Sequence, residues 1–163
     1  MKLELALSEI QTIESEQKEL TPEIKALLRK KISEIESFVA SQDQIEIPLK
    51  HYFSKGVYAR EITIPAGSII VGKIHKHTNL NMLIKGEITI ISVDGAKRMK
   101  APCTIVSSPG VKRLAYAHEE TVWTTIHGTD ETDLEKIEET FIAKDYSEVV
   151  GISAQDLKLL EGV

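Results

Sequence analysis

The sequence predicts one mainly β domain, an antiparallel barrel or sandwich with helical segments at both ends. The chain has 163 residues, enough for one well-filled core and few for two domains. Residues 1–42 contain no glycine and are rich in Glu, Lys, Leu and Ala, a composition typical of helix. Residues 45–128 instead contain short apolar segments separated by turn signals. We therefore expect a helical extension over residues 1–44, a β-barrel over 45–129 and a helical segment over 130–163.

Composition excludes several classes of partner. The formal net charge of -5 argues against a nucleic-acid partner, because nucleic-acid-binding surfaces concentrate Lys and Arg. No apolar run approaches the roughly 20 residues of a membrane span, so no membrane partner is expected. The single cysteine, Cys103, cannot form an intrachain disulfide and is interpreted as a small core residue. These observations, with no signal-peptide pattern, predict a cytoplasmic protein.

Two N-terminal helices are predicted. The pattern Ser8 to Gln11 is a capping box that favours a first helix over about residues 9–20. Thr21 is a suitable N-cap for a second helix, with Pro22 in its first position. Apolar residues then recur at three- and four-residue steps, at Ile24, Leu27, Leu28, Ile32, Ile35, Phe38 and Val39. We expect this stripe to pack on the protein's own sheet, the alternative being a helix for oligomerisation or for docking on a partner.

The C-terminal part returns to helix. Residues 132–135 form a second capping box, which opens an acidic helix whose Leu134, Ile137 and Phe141 share one face. Ser153 is a candidate cap for a final short helix over residues 154–160.

About nine strands are predicted between these helices. They cover residues 45–49, 57–64, 68–77, 80–84, 87–93, 96–100, 103–107, 111–118 and 121–127. Parallel pairing requires crossover connections of a dozen residues or more, and the turns here are shorter. The strands are therefore expected to pair antiparallel.

Two histidines one residue apart, His75 and His77, give the strongest functional signal. Alternate residues of a strand point to the same face, roughly 7 Å apart, so both imidazoles are expected to face one space. They could converge on a metal ion, bind an anion, or form hydrogen bonds inside a barrel.

Two motifs resemble those of the cupin superfamily, the RmlC-like proteins. The Pro-Ala-Gly turn at residues 65–67, the sequence His-Lys-His at 75–77 and Gly86 resemble the first cupin motif. Residues 108–113 resemble the second motif, whose usual form is P-x-G-x-x-H. The resemblance implies a mainly β fold: an antiparallel double-stranded β-helix, or cupin-like barrel, here with an N-terminal helical extension and a C-terminal helix.

A longer resemblance suggests a source. Residues 56–61, 121–127 and 129–135 are similar to small cupin-like proteins encoded by tailed bacteriophages. This implies a protein that acts in the host cell cytoplasm or associates with the virion, with phage or host proteins as possible partners.

The resemblance also implies a ligand set, from which this sequence departs. Metal-binding cupins add a glutamate after the two histidines and a final histidine in the second motif. Here the glutamate position falls on Asn79 or Asn81, and the final histidine falls on Arg113. A neutral amide is a weaker ligand than a carboxylate, and a guanidinium is not a ligand. His118, Glu119 and His127 are the remaining candidate ligands.

We therefore expect a non-catalytic or degenerate cupin-like module that binds a small anion or serves in assembly. The predicted ligand-binding residues are His75, His77, Asn79, Asn81, Arg113, Trp123 and His127. The alternative is a metal-dependent cupin enzyme of oxygenase or isomerase type, with Fe, Mn, Ni or Zn held by His75 and His77. A third interpretation is that both histidines are only structural and that Arg113 pairs with Glu61 or Glu87. Amphipathic helices outside the barrel favour a homo-oligomer, a dimer or higher.

Overall fold

The computed structural model describes residues 20–149, together with residues 4, 5, 8, 12 and 158. This part of the chain contains helix α1 (Pro22–Ala40), helix α2 (Leu134–Phe141) and a 3₁₀ helix (Tyr146–Glu148). Its strands are β1 (Leu49–Ser54), β2 (Val57–Ile64), β3 (Ile69–Val71), β4 (Ile74–His75), β5 (Asn79–Lys85), β6 (Glu87–Ser92), β7 (Gly95–Lys100), β8 (Cys103–Ser107), β9 (Leu114–Ala117), β10 (Thr121–His127) and β11 (Ile142–Ala143). A helix with the length and apolarity to cross a membrane does not occur among the described residues.

The strands form two facing sheets and one short pair. The five-stranded sheet has the order β1-β2-β10-β5-β8, the four-stranded sheet has the order β3-β9-β6-β7, and β11 pairs with β4. Every pairing is antiparallel. The inner faces of the two larger sheets share one core of Ile64, Leu83, Ile88, Ile90, Met99, Ala115, Ala117 and Trp123. The predicted mainly β antiparallel barrel, with one helix before it and one after it in the chain, is thus confirmed.

Helix α1 packs on the outer face of the four-stranded sheet. It begins as predicted, since Thr21 Oγ1 accepts a hydrogen bond from the Ile24 N–H at 3.4 Å. Three side chains of the apolar stripe are fully buried against Ile91 and Leu114, which point outward from the barrel; they are Leu28, Ile32 and Ile35. The stripe therefore covers the protein's own sheet, as the first of the two interpretations expected. The helices predicted over residues 9–20 and 154–160 fall almost entirely outside the described residues.

The strand predicted over residues 68–77 is divided in two. Strand β3 pairs with β9, whereas β4 pairs with β11, so the chain changes partner between Val71 and Ile74. At this break the Gly72 N–H donates to the Arg113 carbonyl oxygen at 2.8 Å, which is the close backbone approach that a glycine within an apolar strand indicates. The first predicted strand is also displaced, because pairing begins at Leu49 and continues to Ser54.

Helix α2 and β11 cross one end of the barrel. The N-cap is Asp133, one residue after the predicted Thr132, and its carboxylate accepts from the N–H groups of Glu135 and Lys136. Ile137 and Phe141 are buried against Tyr58 of the five-stranded sheet. Because β11 then pairs with β4, this segment is fixed at two places, by the contact of α2 with Tyr58 and by the pairing of β11.

Candidate functional site

A cavity of about 340 Å³ lies between the two sheets. Its inner wall is buried and apolar and includes Ile64, Ile88, Ile90, Ala115 and Trp123. Its mouth is marked by the lining side chains that are exposed, namely Leu49, Arg60, Lys73, Leu134 and Glu138. The volume is within the range of small-molecule sites, about 300–1,000 Å³.

Strand register divides the cavity into polar and apolar levels. In the five-stranded sheet Thr125 lies opposite Arg60 on one side and Asn81 on the other, so three polar side chains share one inward level. Two residues earlier on the same strand, Trp123 lies opposite Ile62 and Leu83. The polar level is therefore adjacent to an apolar one within a single cavity.

Two histidines lie together at the polar end. The rings of His75 and His127 are stacked, with centroids 5.2 Å apart and planes 20° from parallel. Each Nδ1 atom is buried and has no hydrogen-bond partner in the part of the chain that the structure describes. Burial lowers the pKa of His75 to about 4, and the positive charge that His127, Arg113 and Arg60 can carry acts in the same direction. Burial, with a contribution from His77, also lowers the pKa of His127 to about 4, so both rings are neutral near pH 7.

His77 does not share this cavity with His75. Strand β4 ends at His75, and one further backbone hydrogen bond, from the Lys76 N–H to the Phe141 carbonyl oxygen at 2.8 Å, follows it in the same register with β11. His77 is exposed and meets the edge of the Phe141 ring at a centroid distance of 6.0 Å. The expectation that His75 and His77 face the same way holds only for two residues of one strand, and β4 ends before it includes His77.

Asn81 is the centre of a buried hydrogen-bond network. Its Oδ1 accepts from Trp123 Nε1 at 3.2 Å and from Thr125 Oγ1 at 2.9 Å. Its Nδ2 donates to Asn79 Oδ1 at 2.6 Å and to Ser107 Oγ at 2.7 Å. Both ends of the amide are therefore occupied by the protein, and Asn81 lines the cavity with its side chain held by four hydrogen bonds. Asn79 is buried beside it and does not line the cavity.

Arg113 is a partly buried cation that lines the cavity. Its Nη2 donates to Ser107 Oγ at 2.6 Å, and this is its one side-chain hydrogen bond to the described residues. Burial lowers the pKa of the guanidinium, and the charge of Asp94 opposes that effect. The carboxylates expected as partners are engaged elsewhere, because Glu61 lies 3.5 Å from Lys50 Nζ and Glu87 pairs with Arg98. Arg113 thus lies at the cavity with most of its N–H donors available.

The structure adds residues that sequence reasoning missed. His51 Nδ1 lies 2.7 Å from the Tyr58 hydroxyl, within hydrogen-bond distance, and burial raises the pKa of Tyr58. Arg60 lines the mouth, and Lys73 forms an ion pair across it with Glu138. Alternation on the predicted strand 57–64 places Tyr58 and Arg60 on one face with two isoleucines. Only the pairing with β10 shows that this face is the inner one.

The donor set at the cavity does not fit a catalytic divalent metal. No group of three or more His, Cys, Asp or Glu side chains in residues 20–149 and the isolated described positions is placed to hold one. Of the three histidines in the lining, His51 contacts the Tyr58 hydroxyl, and His75 and His127 each offer a buried Nδ1 without a partner among the described residues. The one carboxylate that the described residues bring to the lining, Glu138, pairs with Lys73. Of the other candidate ligands, His118 lies 2.8 Å from Thr89 and outside this lining. Nearby cations would oppose a divalent ion as they oppose protonation of His75.

No protein-family model and no curated protein sequence matches the chain. Among solved structures, an acetylacetone dioxygenase from Acinetobacter johnsonii is 19% identical, with a TM-score of 0.42 over 50% of this chain and 59% of that chain. This chain thus spans about three fifths of that dioxygenase. KdgF from a Halomonas species is 14% identical, with a TM-score of 0.47 over 57% of this chain and 90% of that chain.

An RmlC-like cupin from Shewanella frigidimarina is 21% identical, with a TM-score of 0.42 over 54% of this chain and 87% of that chain. The structures found to be similar thus include proteins named as cupins. At TM-scores this low, these likenesses assign neither a ligand nor an activity to the chain.

Proposed function

We propose that the protein is a non-catalytic cupin-like module that binds a small organic anion between its two sheets. The observation that carries the proposal is Arg113, a partly buried guanidinium that lines the cavity. It has no carboxylate of the described residues within ion-pair distance, and the charge of Asp94 acts on it only from farther away. Desolvating such a charge is unfavourable unless an opposite charge or hydrogen-bond acceptors compensate it. A bound carboxylate or phosphate would supply both, since the guanidinium fork matches either group.

The remaining charges of the cavity support an anionic ligand. Lys73 is neutralised by Glu138, whereas no ion pair of the described residues involves Arg60. Arg60 at the mouth would attract an anion, and Arg113 deeper inside would hold it. The neutral rings of His75 and His127 would add hydrogen bonds through nitrogens that have no partner in the described part of the protein.

A thermal-shift screen of the full chain against carboxylates and phosphates tests the proposal. A ligand that binds only the folded state at one hundred times its Kd stabilises by about 2.7 kcal/mol, so the Tm should rise by several degrees. Arg113→Gln should abolish the rise. Arg98→Gln is the matched control, because Arg98 is exposed and pairs with Glu87 outside the cavity. An equal rise in wild type and Arg113→Gln would contradict the proposal.

The metal-dependent alternative has one specific observation in its favour, the two neutral imidazoles of His75 and His127. Elemental analysis of protein purified without an affinity tag tests it. Stoichiometric Fe, Mn, Ni or Zn that is lost in both His75→Ala and His127→Ala would overturn the non-catalytic proposal. His77→Ala, outside the cavity lining, is the control.

Assembly is a second candidate function, favoured by the outer face of the five-stranded sheet. Met82, Ile84 and Val106 are exposed there by 37%, 48% and 70%, and helix α1 covers the outer face of the other sheet. An uncharged apolar patch suits the same patch on a second copy of this chain. Light scattering should then give a dimer for the wild type and a monomer for Val106→Asp. A monomeric wild type at high concentration would count against assembly.

A phage origin would place this module in the infected host cell. There the bound anion would be a host or phage metabolite.

A further inference from the structure

Resting on the proposed function, we infer that the bound anion is a monocarboxylate with an apolar body, held by Arg113 with its apolar part against the isoleucine-rich inner wall. The inference concerns the class of ligand. It separates an apolar carboxylate from inorganic phosphate, sugar phosphates and nucleotides.

The first support is the apolar inner wall. Ile88 and Ile90 of β6 and Ala115 of β9 are exposed by only 1%, 6% and 6%, and all three line the cavity. On the opposite sheet Ile64 and Trp123 complete this wall. A hydrophilic ligand would leave this surface without a favourable contact, whereas each buried methylene would gain from it.

The second support is that the polar side chains nearest the wall are satisfied within the protein. The indole N–H of Trp123 and the hydroxyl of Thr125 both donate to Asn81, whose amide group donates to Asn79 and Ser107. At the inner wall the hydroxyl groups of a sugar would have to break this network to find partners, because the Nδ1 atoms of His75 and His127, which have no partner among the described residues, lie at the polar end of the cavity. Buried polar groups left unpaired are costly, so the network selects against polyhydroxylated ligands.

The third support is the number of charges. Arg113 is the one cation of the lining that is neither exposed nor paired with a carboxylate in the described part of the chain. Lys73 is engaged by Glu138, and Arg60 is exposed at the mouth. One desolvated cation matches one anionic head group, and a nucleotide polyphosphate would bring more charge than the interior compensates.

Calorimetric titration of the full chain with linear carboxylates from acetate to octanoate tests the inference. Affinity should rise about fourfold for each added methylene until the wall is filled, and then level or fall. Ala115→Leu fills part of the cavity at its inner wall and should shorten the alkyl chain of the preferred carboxylate. Ile90→Ala enlarges the cavity at the same wall and should lengthen the preferred alkyl chain, so the two variants act in opposite directions. Ala96→Leu, an exposed position on β7, is the control and should leave the preference unchanged.

The possible outcomes separate this inference from the proposed function. A rising series with opposite shifts in the two wall variants supports the inference. If acetate and phosphate bind in an Arg113-dependent manner but affinity does not depend on chain length, the inference is overturned and the proposed function stands. If no carboxylate and no phosphate binds, both are overturned. Ala115→Leu is interpreted only with a cooperative melting curve, and Ile90→Ala supplies the test if that variant does not fold.

Discussion

His75 and His127 lie face to face in the cavity, with ring centroids 5.2 Å apart, although 52 positions separate them in the chain. Strand β11 and helix α2 support this contact, because Ile142 pairs with His75 and the Phe141 ring stacks on His127 with centroids 4.3 Å apart. His75 is the first histidine of the His-Lys-His motif, whereas His127 belongs to neither of the two cupin-like motifs. Four predictions test this arrangement and the structure that supports it.

The stability of the protein should decrease between pH 7 and pH 5. Unfolded imidazoles take up a proton near pH 6.5, whereas the folded pKa values of His75 and His127 are about 4. In this window the unfolded state therefore binds more protons, and the free energy of unfolding falls with falling pH, by about 2 kcal/mol for each imidazole at pH 5. Below the folded pKa the effect levels off.

Urea denaturation at pH 7, 6 and 5 measures this dependence. The charged groups that face His75 are Arg60, Lys73, Arg113 and, through its pair with Lys73, Glu138. His127→Gln should remove about half of the change in the free energy of unfolding with pH. A slope equal to that of the wild type would show that His127 is not held neutral by the fold. The carboxylates with lowered pKa values affect stability mainly below this range, since their unfolded value is 4.5 or lower.

Asn81→Ala should destabilise the protein by about 2–4 kcal/mol. The substitution removes the amide that joins Trp123, Thr125 and Ser107. It leaves the Trp123 N–H and the Thr125 hydroxyl without the acceptor that they share, while Ser107 keeps its hydrogen bond from Arg113. Met82→Ala is the matched control, because Met82 follows Asn81 on the same strand but points outward and is 37% exposed. Its cost should stay below about 1 kcal/mol. Equal costs for the two variants, measured by urea denaturation, would argue against the network.

Gly86→Ala should cost more than Gly56→Ala. Both glycines have positive φ, +88° and +76°, so both substitutions incur the backbone cost of about 1 kcal/mol. At Gly86 a Cβ would also lie 2.4 Å from the Glu120 carbonyl oxygen and 2.9 Å from Thr121 Cα, whereas at Gly56 it meets nothing within 4 Å. The difference in Tm between the two variants isolates this steric term. If both variants melt together, the close approach at Gly86 is absent in solution.

Glu36→Ala should destabilise the protein by about 1–2 kcal/mol. Glu36 of α1 pairs with Lys112, whose side chain is only 9% exposed, so the substitution leaves a nearly buried ammonium without its partner. The cost is reduced because the Glu36 side chain is 43% exposed and water can replace part of the interaction. Glu34→Ala on the same helix is the control, since its partner Lys31 is 24% exposed and so more accessible to water than Lys112. That variant should stay within about 0.5 kcal/mol of the wild type.

The sequence alone was sufficient for the elements with strong local signals. Thr21 and Pro22 mark the start of α1, and the strands β8 and β10 have the predicted bounds, because capping and turn chemistry act over a few residues. It also identified five residues that line the cavity, which are His75, Asn81, Arg113, Trp123 and His127.

Only the tertiary structure decided which of these residues face one another and which remain available to a ligand. His77 leaves the cavity because strand β4 ends at His75, and Asn81 is saturated by neighbours from β8 and β10. Arg60 and Tyr58 enter the site through their register with β10, which no local pattern encodes. Local chemistry thus determined most of the strands, the start of α1 and most candidate residues. The pairing of distant strands determined the cavity, because register and partner exchange depend on contacts far apart in the chain.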